Sequence, residues 1–213
     1  MKFVPNNYNL RVKPNSLWLA YDLDSKNVVK QMLPPSLSLA AFKILEDDIV
    51  IKPKLLFNLY DVDSTFMKGT RLEILTLAKS KHGSVHFVIL DCITNTLSWD
   101  PIKQVHMGFA NFQIQYDAKN YRTDLSHYRD KLLLDSKKVG RRKISKRFAV
   151  DANHVCFYRN CDQGYPMRFD VNEVMQDVTR LSVHNIENTF WTNCRGKLTH
   201  AFVHNYDMNF QVI

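Results

Sequence analysis

Large apolar and small or polar residues alternate with a period of two in parts of this chain, the pattern of strands whose two faces meet different surroundings. The pattern is clearest near the end. In KLTHAFVHNYDMNFQV the even positions Leu198, His200, Phe202, His204, Tyr206, Met208, Phe210 and Val212 are large. The odd positions Thr199, Ala201, Asn205, Asp207, Asn209 and Gln211 are small or polar, with Val203 the exception. One long strand is expected there. SLWLAYDL (Ser16 to Leu23) reads as another. SLSLAAFKIL, DIVIKPKLLFNLYDV, TRLEILTLAKS, SVHFVILD and HMGFANFQIQYDA follow as strands of a meander, with KHGS (Lys81 to Ser84) as a glycine-containing hairpin turn. Within TRLEILTLA, Leu72, Ile74 and Thr76 alternate against Arg71, Glu73, Leu75 and Leu77.

A helical period surfaces twice. DSKNVVKQMLPP places Val28, Val29, Met32 and Leu33 on one face, with Asp24 or Ser25 as N-cap and Pro34 and Pro35 as the stop. In DVNEVMQDVTRL (Asp170 to Leu181), Val171, Val174, Met175 and Val178 share a face behind Asp170. The pattern predicts a mainly β protein with one or two short helices. No repeat, low-complexity segment or Gly/Ser-rich linker divides the chain, so residues 1–213 are expected to form a single domain.

Composition adds little to that picture, and charge adds more. With 45% hydrophobic and 23% charged residues, 213 residues can bury a core without disulfide or metal staples. The net charge is +8, and Lys137, Lys138, Arg141, Arg142, Lys143, Lys146 and Arg147 cluster in KKVGRRKISKR. A like-charge run is usually a solvated hairpin or loop. The other reading is a contact surface for nucleic acid or an acidic protein partner. The N-terminal MKFVPNNYNLRVKPNS lacks a signal-peptide apolar core, and VHFVIL is too short to span a bilayer. Four cysteines without C-x-x-C spacing fit reduced thiols in a soluble cytoplasmic protein. Oligomeric state is left open.

Candidate chemistry is sparse. There is no G-x-S-x-G, P-loop, G-x-G-x-x-G or H-E-x-x-H, so no cofactor is called for. His200 and His204 would meet one metal ion on a helix. On a strand they stand about 13 Å apart, so no metal site is expected and they read as histidines among aromatics. His154 and Cys156 share a strand face, the arrangement a cysteine–histidine pair needs, but no local signature supports that chemistry.

Segment order carries more. LWLAYDLDSKNVVKQMLPPSLSL runs from a strand ending Tyr-x-x-Asp into a helix closed by Leu-Pro. TRLEILTLAKS, HFVILD and SWDPIKQVHMGF follow. From Leu17 to about Ile114 this order resembles the acetoacetate decarboxylase superfamily and its relatives that lack the decarboxylase's lysine. The resemblance implies an antiparallel closed or nearly closed barrel with one or two short helices and an apolar internal pocket. In the family that pocket holds a lysine whose neutral amine forms an imine with a β-keto acid. Where the family has Pro-Lys-Lys, this chain has Ala110, Asn111 and Phe112. An amide forms no imine, and Lys103 lies about 26 Å from Asn111 along a continuous strand. Acetoacetate decarboxylase activity is therefore not expected.

Asp22 stands near the position where the decarboxylases carry an arginine. Glu73 falls in the strand that carries an acidic pocket residue, with Arg71 on the same face. The pair reads either as a surface ion pair or as pocket groups. His106 shares a face with Gly108, Ala110 and Phe112, while Met107, Phe109 and Asn111 face the other way. Sequence does not set which face lines the pocket, and a bulge at Gly108 would exchange them. The expected function is binding of a small carbonyl or carboxylate compound by Arg71, Glu73, His106 and Asn111. The protein is then a binding protein or a non-imine enzyme, lyase-like or isomerase-like. The alternative is an interaction protein that uses residues 137–147.

Overall fold

A computed structural model describes residues 8–63, 68–95, 106–107, 110–145, 153–169, 177–205 and 207–212. In chain order they form β1 (Tyr8–Val12), β2 (Ser16–Leu23), the helix α1 (Lys26–Lys30), β3 (Leu37–Leu39), β4 (Lys54–Asp63) and β5 (Lys68–Ser80). Next come β6 (Val85–Thr94), β7 (His106–Met107), β8 (Asn111–Tyr116), β9 (Asn120–His127) and β10 (Asp130–Lys143). The last are β11 (Asn153–Tyr158), β12 (Tyr165–Phe169), β13 (Asp177–Asn188), β14 (Arg195–His204) and β15 (Met208–Val212).

All the strands belong to one sheet, in the order β3-β5-β6-β11-β12-β15-β1-β4-β2-β14-β13-β10-β9-β8, with β7 beside β6. Strongly twisted sheets of more than about ten strands curl back on themselves. Here the turn-back is at β4, which pairs with β1, β2 and β5. The expected closed or nearly closed antiparallel barrel is not what forms. The sheet starts at β3 and ends at β8, these two ends do not pair with each other, and β6 pairs in parallel with both β7 and β11.

Folding back creates the main core. Leu17, Leu19 and Tyr21 of β2, Phe57 and Leu59 of β4, and Leu72 and Ile74 of β5 pack in one cluster with Tyr121, Leu125, Leu132 and Leu134 of β9 and β10. The opposite faces of β2 and β4 are buried too, with Trp18, Ala20 and Leu56 beside Phe87 and Phe202. Strands covered on both sides read as near-continuous apolar runs, which is what LWLAY and KLLFNLY are.

Several local expectations change. In α1 Val29 is buried, and Leu33 beyond it, but Val28 is exposed, because a helix of five residues presents only a narrow stripe to the sheet. SLSLAAFKIL is strand only at Leu37–Leu39. The C-terminal run is two strands: β14 pairs with β2 and β13, and the chain then changes partners so that β15 pairs with β1 and β12. The basic run is neither hairpin nor loop from Lys137 to Lys143, where it is the end of β10 paired with β13. Gly140, at φ +124°, accommodates the irregularity between Lys138 and Arg141. Lys146 and Arg147 lie outside the described residues, as does 170–176 of the second expected helix; Asp177 to Leu181 of that stretch begin β13. Among the described residues no helix is long and apolar enough to cross a membrane.

Candidate functional site

Register brings polar side chains together on β4, β5 and β6. Asn58 lies opposite Glu73, and Glu73 opposite Cys92; one step along, Tyr60 lies opposite Arg71, and Arg71 opposite Thr94. Directly opposed residues share a face, so these six project away from the core side occupied by Leu59, Leu72 and Ile93.

Their bonds converge on one carboxylate oxygen. Tyr60 donates its phenol O–H to Glu73 Oε1 at 2.7 Å, and Arg71 Nη2 donates to the same oxygen at 3.1 Å. Arg71 Nη2 also lies 3.2 Å from Cys92 Sγ. The Arg71 and Glu73 side chains are only 6% and 13% exposed. Beside them Asn58 is buried, and its Oδ1 has no hydrogen-bond partner among the described residues. Burial, and then the Glu73 charge, push the Tyr60 phenol well up, against the pull of Arg71, so Tyr60 stays a donor. Burial and the Glu73 charge likewise raise the Cys156 thiol. Cys156 is therefore a packed thiol and not an activated nucleophile; the side chain of His154 lies outside the described residues.

A second polar network borders the row. Lys54, on the same face of β4, is buried and donates to Asp22 Oδ1 at 2.7 Å and to Thr199 Oγ1 at 3.1 Å. Burial works against the Asp22 charge, but the bond to Lys54 and the charges of Lys54, Lys52 and His200 outweigh it and hold the carboxyl below its usual range. His200 spans Thr199 Oγ1 at 2.9 Å and Asp48 Oδ1 at 2.7 Å, while His204 packs between Trp18 and Phe202. Among the described residues no group of three or more His, Cys, Asp or Glu is arranged to hold a metal ion.

Of the residues singled out from sequence, Arg71 and Glu73 meet in a buried pair. Asn111 is exposed on β8, opposite Ser126, while Ala110 is buried and Phe112 packs on the core. The backbone of His106 pairs with Ile93 of β6; its side chain lies outside the described residues. Lys137, Arg141, Arg142 and Lys143 are exposed, whereas Lys138 turns aside to donate to Asn15 Oδ1 at 3.1 Å. Sequence reasoning missed Asn58, Tyr60 and Cys92. Their one local signal is a polar residue within an apolar strand, as in LLFNLY, and only cross-strand register shows which of them meet.

A cavity of about 280 Å³ lies elsewhere, on the outward face of β8, β9 and β10, lined by Gln113, Gln115, Arg122, Asp124, Leu133 and Asp135 among others. It is shallow, and its lining mixes polar and apolar side chains.

A mainly β sheet doubled back on itself, with a buried Arg–Glu–Tyr row beside the fold-back, defines the structural class. Searched against family models and curated proteins, the sequence finds no match. Two solved structures do match. One is an acetoacetate decarboxylase from Legionella pneumophila, with TM-score 0.60 and 11% identity over 96% of this chain and 84% of that one. The other is an acetoacetate decarboxylase-like enzyme from Sphingomonas wittichii RW1, with TM-score 0.55 and 7% identity over 97% of this chain and 90% of that one. The chain has the acetoacetate decarboxylase-like fold, and the likeness runs well past the Leu17 to Ile114 stretch that carries the resemblance in sequence.

Proposed function

We propose that this chain binds a small carbonyl or carboxylate compound at the polar row of β4, β5 and β6, without an imine-forming lysine. One observation carries the proposal: Tyr60 and Arg71 converge on a single, largely buried oxygen of Glu73, with the unpartnered Asn58 Oδ1 alongside. A buried ion pair costs several kcal/mol per charge to desolvate, and well-packed apolar side chains serve stability as well or better. Such a pair has more to offer a ligand. The Arg71 fork suits a carboxylate, the Tyr60 O–H suits a carbonyl oxygen, and Asn58 Oδ1 accepts from a ligand hydroxyl or a water. If turnover accompanies binding, Glu73 is the group to move a proton next to the carbonyl, giving lyase-like or isomerase-like chemistry.

The proposed site is the strand face itself and not the interior of a barrel. Asn111, exposed on β8, is left out of it. His106 remains a candidate through its position on β7 beside β6. Lys54 is the buried lysine on the same face, and its Nζ is engaged by Asp22 and Thr199. The proposal treats residues 1–213 as one domain of a cytoplasmic protein.

Isothermal titration with a panel of small keto acids and dicarboxylates tests it. Binding is expected to at least one compound, and to be lost in the paired variant Arg71→Met with Glu73→Leu, which removes both charges together. Borohydride with a bound β-keto acid is expected to leave no lysine adduct. A stable adduct, or unchanged binding by the paired variant, overturns the proposal.

A further inference from the structure

A knuckle between Phe42 and Lys52 presents side chains that no part of the buried row explains. Its base is tied down. Phe42 bridges to Lys52, and Leu45 bridges to Ile144 just past β10. Glu46 N–H donates to the Lys143 carbonyl at 3.1 Å, and Ser145 N–H to the Ile44 carbonyl at 2.7 Å. Asp48 Oδ2 accepts the N–H groups of Ile44 and Leu45, both at 3.0 Å, and its Oδ1 holds His200.

The tip is the opposite. Ile49, Val50 and Ile51 are 94%, 55% and 50% exposed. Among the described residues these are the only consecutive exposed large apolar side chains; Val28, Tyr116, Tyr128 and Val139 are exposed singly. Single exposed apolar residues are ordinary, whereas three in a row held out on a fixed base form a contiguous apolar tip.

Cations stand around the base of that tip. Lys43 and Lys52 stand on the two arms of the knuckle. The exposed Arg141, Arg142 and Lys143 are brought alongside by the Leu45–Ile144 bridge and by the 3.7 Å approach of Arg142 Nε to Asp47 Oδ2. The acidic groups here are Glu46, Asp47, Asp48 and Asp22, of which Asp47 faces Arg142, Asp48 is held by His200, and Asp22 Oδ2 lies 3.9 Å from Lys52 Nζ.

We propose that this knuckle docks on an anionic lipid bilayer, with Ile49 to Ile51 entering the interface and the five cations lying against acidic headgroups. A short apolar insertion binds a membrane marginally by itself, as does a small basic patch, and the two together give stable attachment. Nucleic acid satisfies the cations but takes apolar side chains only as wedges between unstacked base steps, not as three consecutive aliphatic side chains. A bilayer takes both.

Flotation of the full chain with vesicles tests this. Binding is expected to phosphatidylcholine vesicles containing phosphatidylserine and not to phosphatidylcholine alone, and to weaken as salt rises. The triple variant Ile49→Ser, Val50→Ser, Ile51→Ser is expected to reduce partitioning about tenfold or more. Arg141→Ala, Arg142→Ala and Lys143→Ala together are expected to do the same, at roughly fivefold for each cation removed. Ile49→Trp is expected to shift its emission to the blue on anionic vesicles only, and this readout decides the matter should either triple variant fail to fold. Three results overturn the proposal: no binding to anionic vesicles at low salt, wild-type binding by the serine variant, or binding of RNA or duplex DNA through the same cations with vesicles left unbound.

Discussion

The inner row of β4 and β5 and the outer face of β9 and β10 each carry an arginine–carboxylate pair, at nearly the same distance. Arg71 Nη2 lies 3.1 Å from Glu73 and Arg122 Nε lies 3.0 Å from Asp135. Their surroundings differ. The inner side chains are 6% and 13% exposed, the outer ones 62% and 46%. Amides accompany both pairs, Asn58 inside and Gln113 and Gln115 outside. Outside, water serves any group left over; inside, Asn58 Oδ1 simply goes without. Distance alone therefore says little about the energy or the use of such a pair. What the inner pair gains from geometry it must set against desolvation, and that balance makes it sensitive to loss of one partner.

The sharpest way to break the comparison is to remove one inner partner. Arg71→Met leaves Glu73 buried beside Tyr60 with its main counter-charge gone and is expected to destabilise the fold by about 3–5 kcal/mol. Removing both charges in Arg71→Met with Glu73→Leu should recover most of that loss. Urea denaturation at neutral pH measures both. A single variant within about 1 kcal/mol of wild type means that water reaches the row.

Titration separates buried from exposed groups as well. Burial alone pushes His204 down to about 4. Asp117, exposed in the turn before β9, is lowered to about 2 by bonds from the Asn120 side chain and from the N–H groups of Lys119 and Asn120. An unfolded histidine titrates near 6.5, so between about 6.5 and about 4 the unfolded chain binds a proton that the native state refuses. The His204 contribution is fully present above that window and falls by about 3 kcal/mol across it as pH drops. Asp22 and Asp48, both held below the usual carboxylate range, add their losses at lower pH. Stability curves of wild type and His204→Leu should diverge inside the window. Parallel curves there would show that His204 is reached by solvent.

Smaller again is the bond from Tyr60. Tyr60→Phe keeps the ring and removes one donor from Glu73, an expected loss of about 1.5–3 kcal/mol for a bond to a charged acceptor. If the row binds ligand as proposed, the same variant should weaken that ligand more than it weakens the fold. Equal effects would point to a purely structural Tyr60.

Sequence carried the strands better than it carried their neighbours. SLWLAYDL is β2 to the residue, because a run buried on both faces leaves an apolar signature that needs no knowledge of its partners. The same-face placement of Arg71 and Glu73 was legible from the period of two. Their burial was not. It depends on β4 and β6 lying on either side in the register that opposes Asn58 and Cys92 to Glu73, a long-range fact. The exposure of Asn111 was hidden for the same reason: the pairing of β8 with β9 turns Ala110 and Phe112 to the core and Asn111 to solvent. The long C-terminal alternation hid a change of partners at Asn205, since residues on either side keep the same period in different neighbourhoods. DIVIK has the composition of a strand, yet Ile49 to Ile51 project from a knuckle whose base is held by Asp48, an arrangement that no periodicity announces.

The outer pair offers the smallest expected effect and the tightest control on the comparison. Arg122→Ala removes a guanidinium that is mostly in water, so the loss should be only about 0.2–1 kcal/mol. At high salt it should shrink further, because the Debye length falls to about 3 Å at 1 M and exposed charges are then screened, whereas buried ones are screened much less. The cost of Arg71→Met should therefore persist at a salt concentration that erases the cost of Arg122→Ala. Urea denaturation of both variants at two ionic strengths reads this directly. Equal salt sensitivity would mean that the two pairs share one environment, and the proposed ligand row would then be a surface feature like its counterpart. A salt-independent inner effect beside a salt-erased outer one ties the difference to burial alone, since the two pairs match in distance and in the charges they bring together.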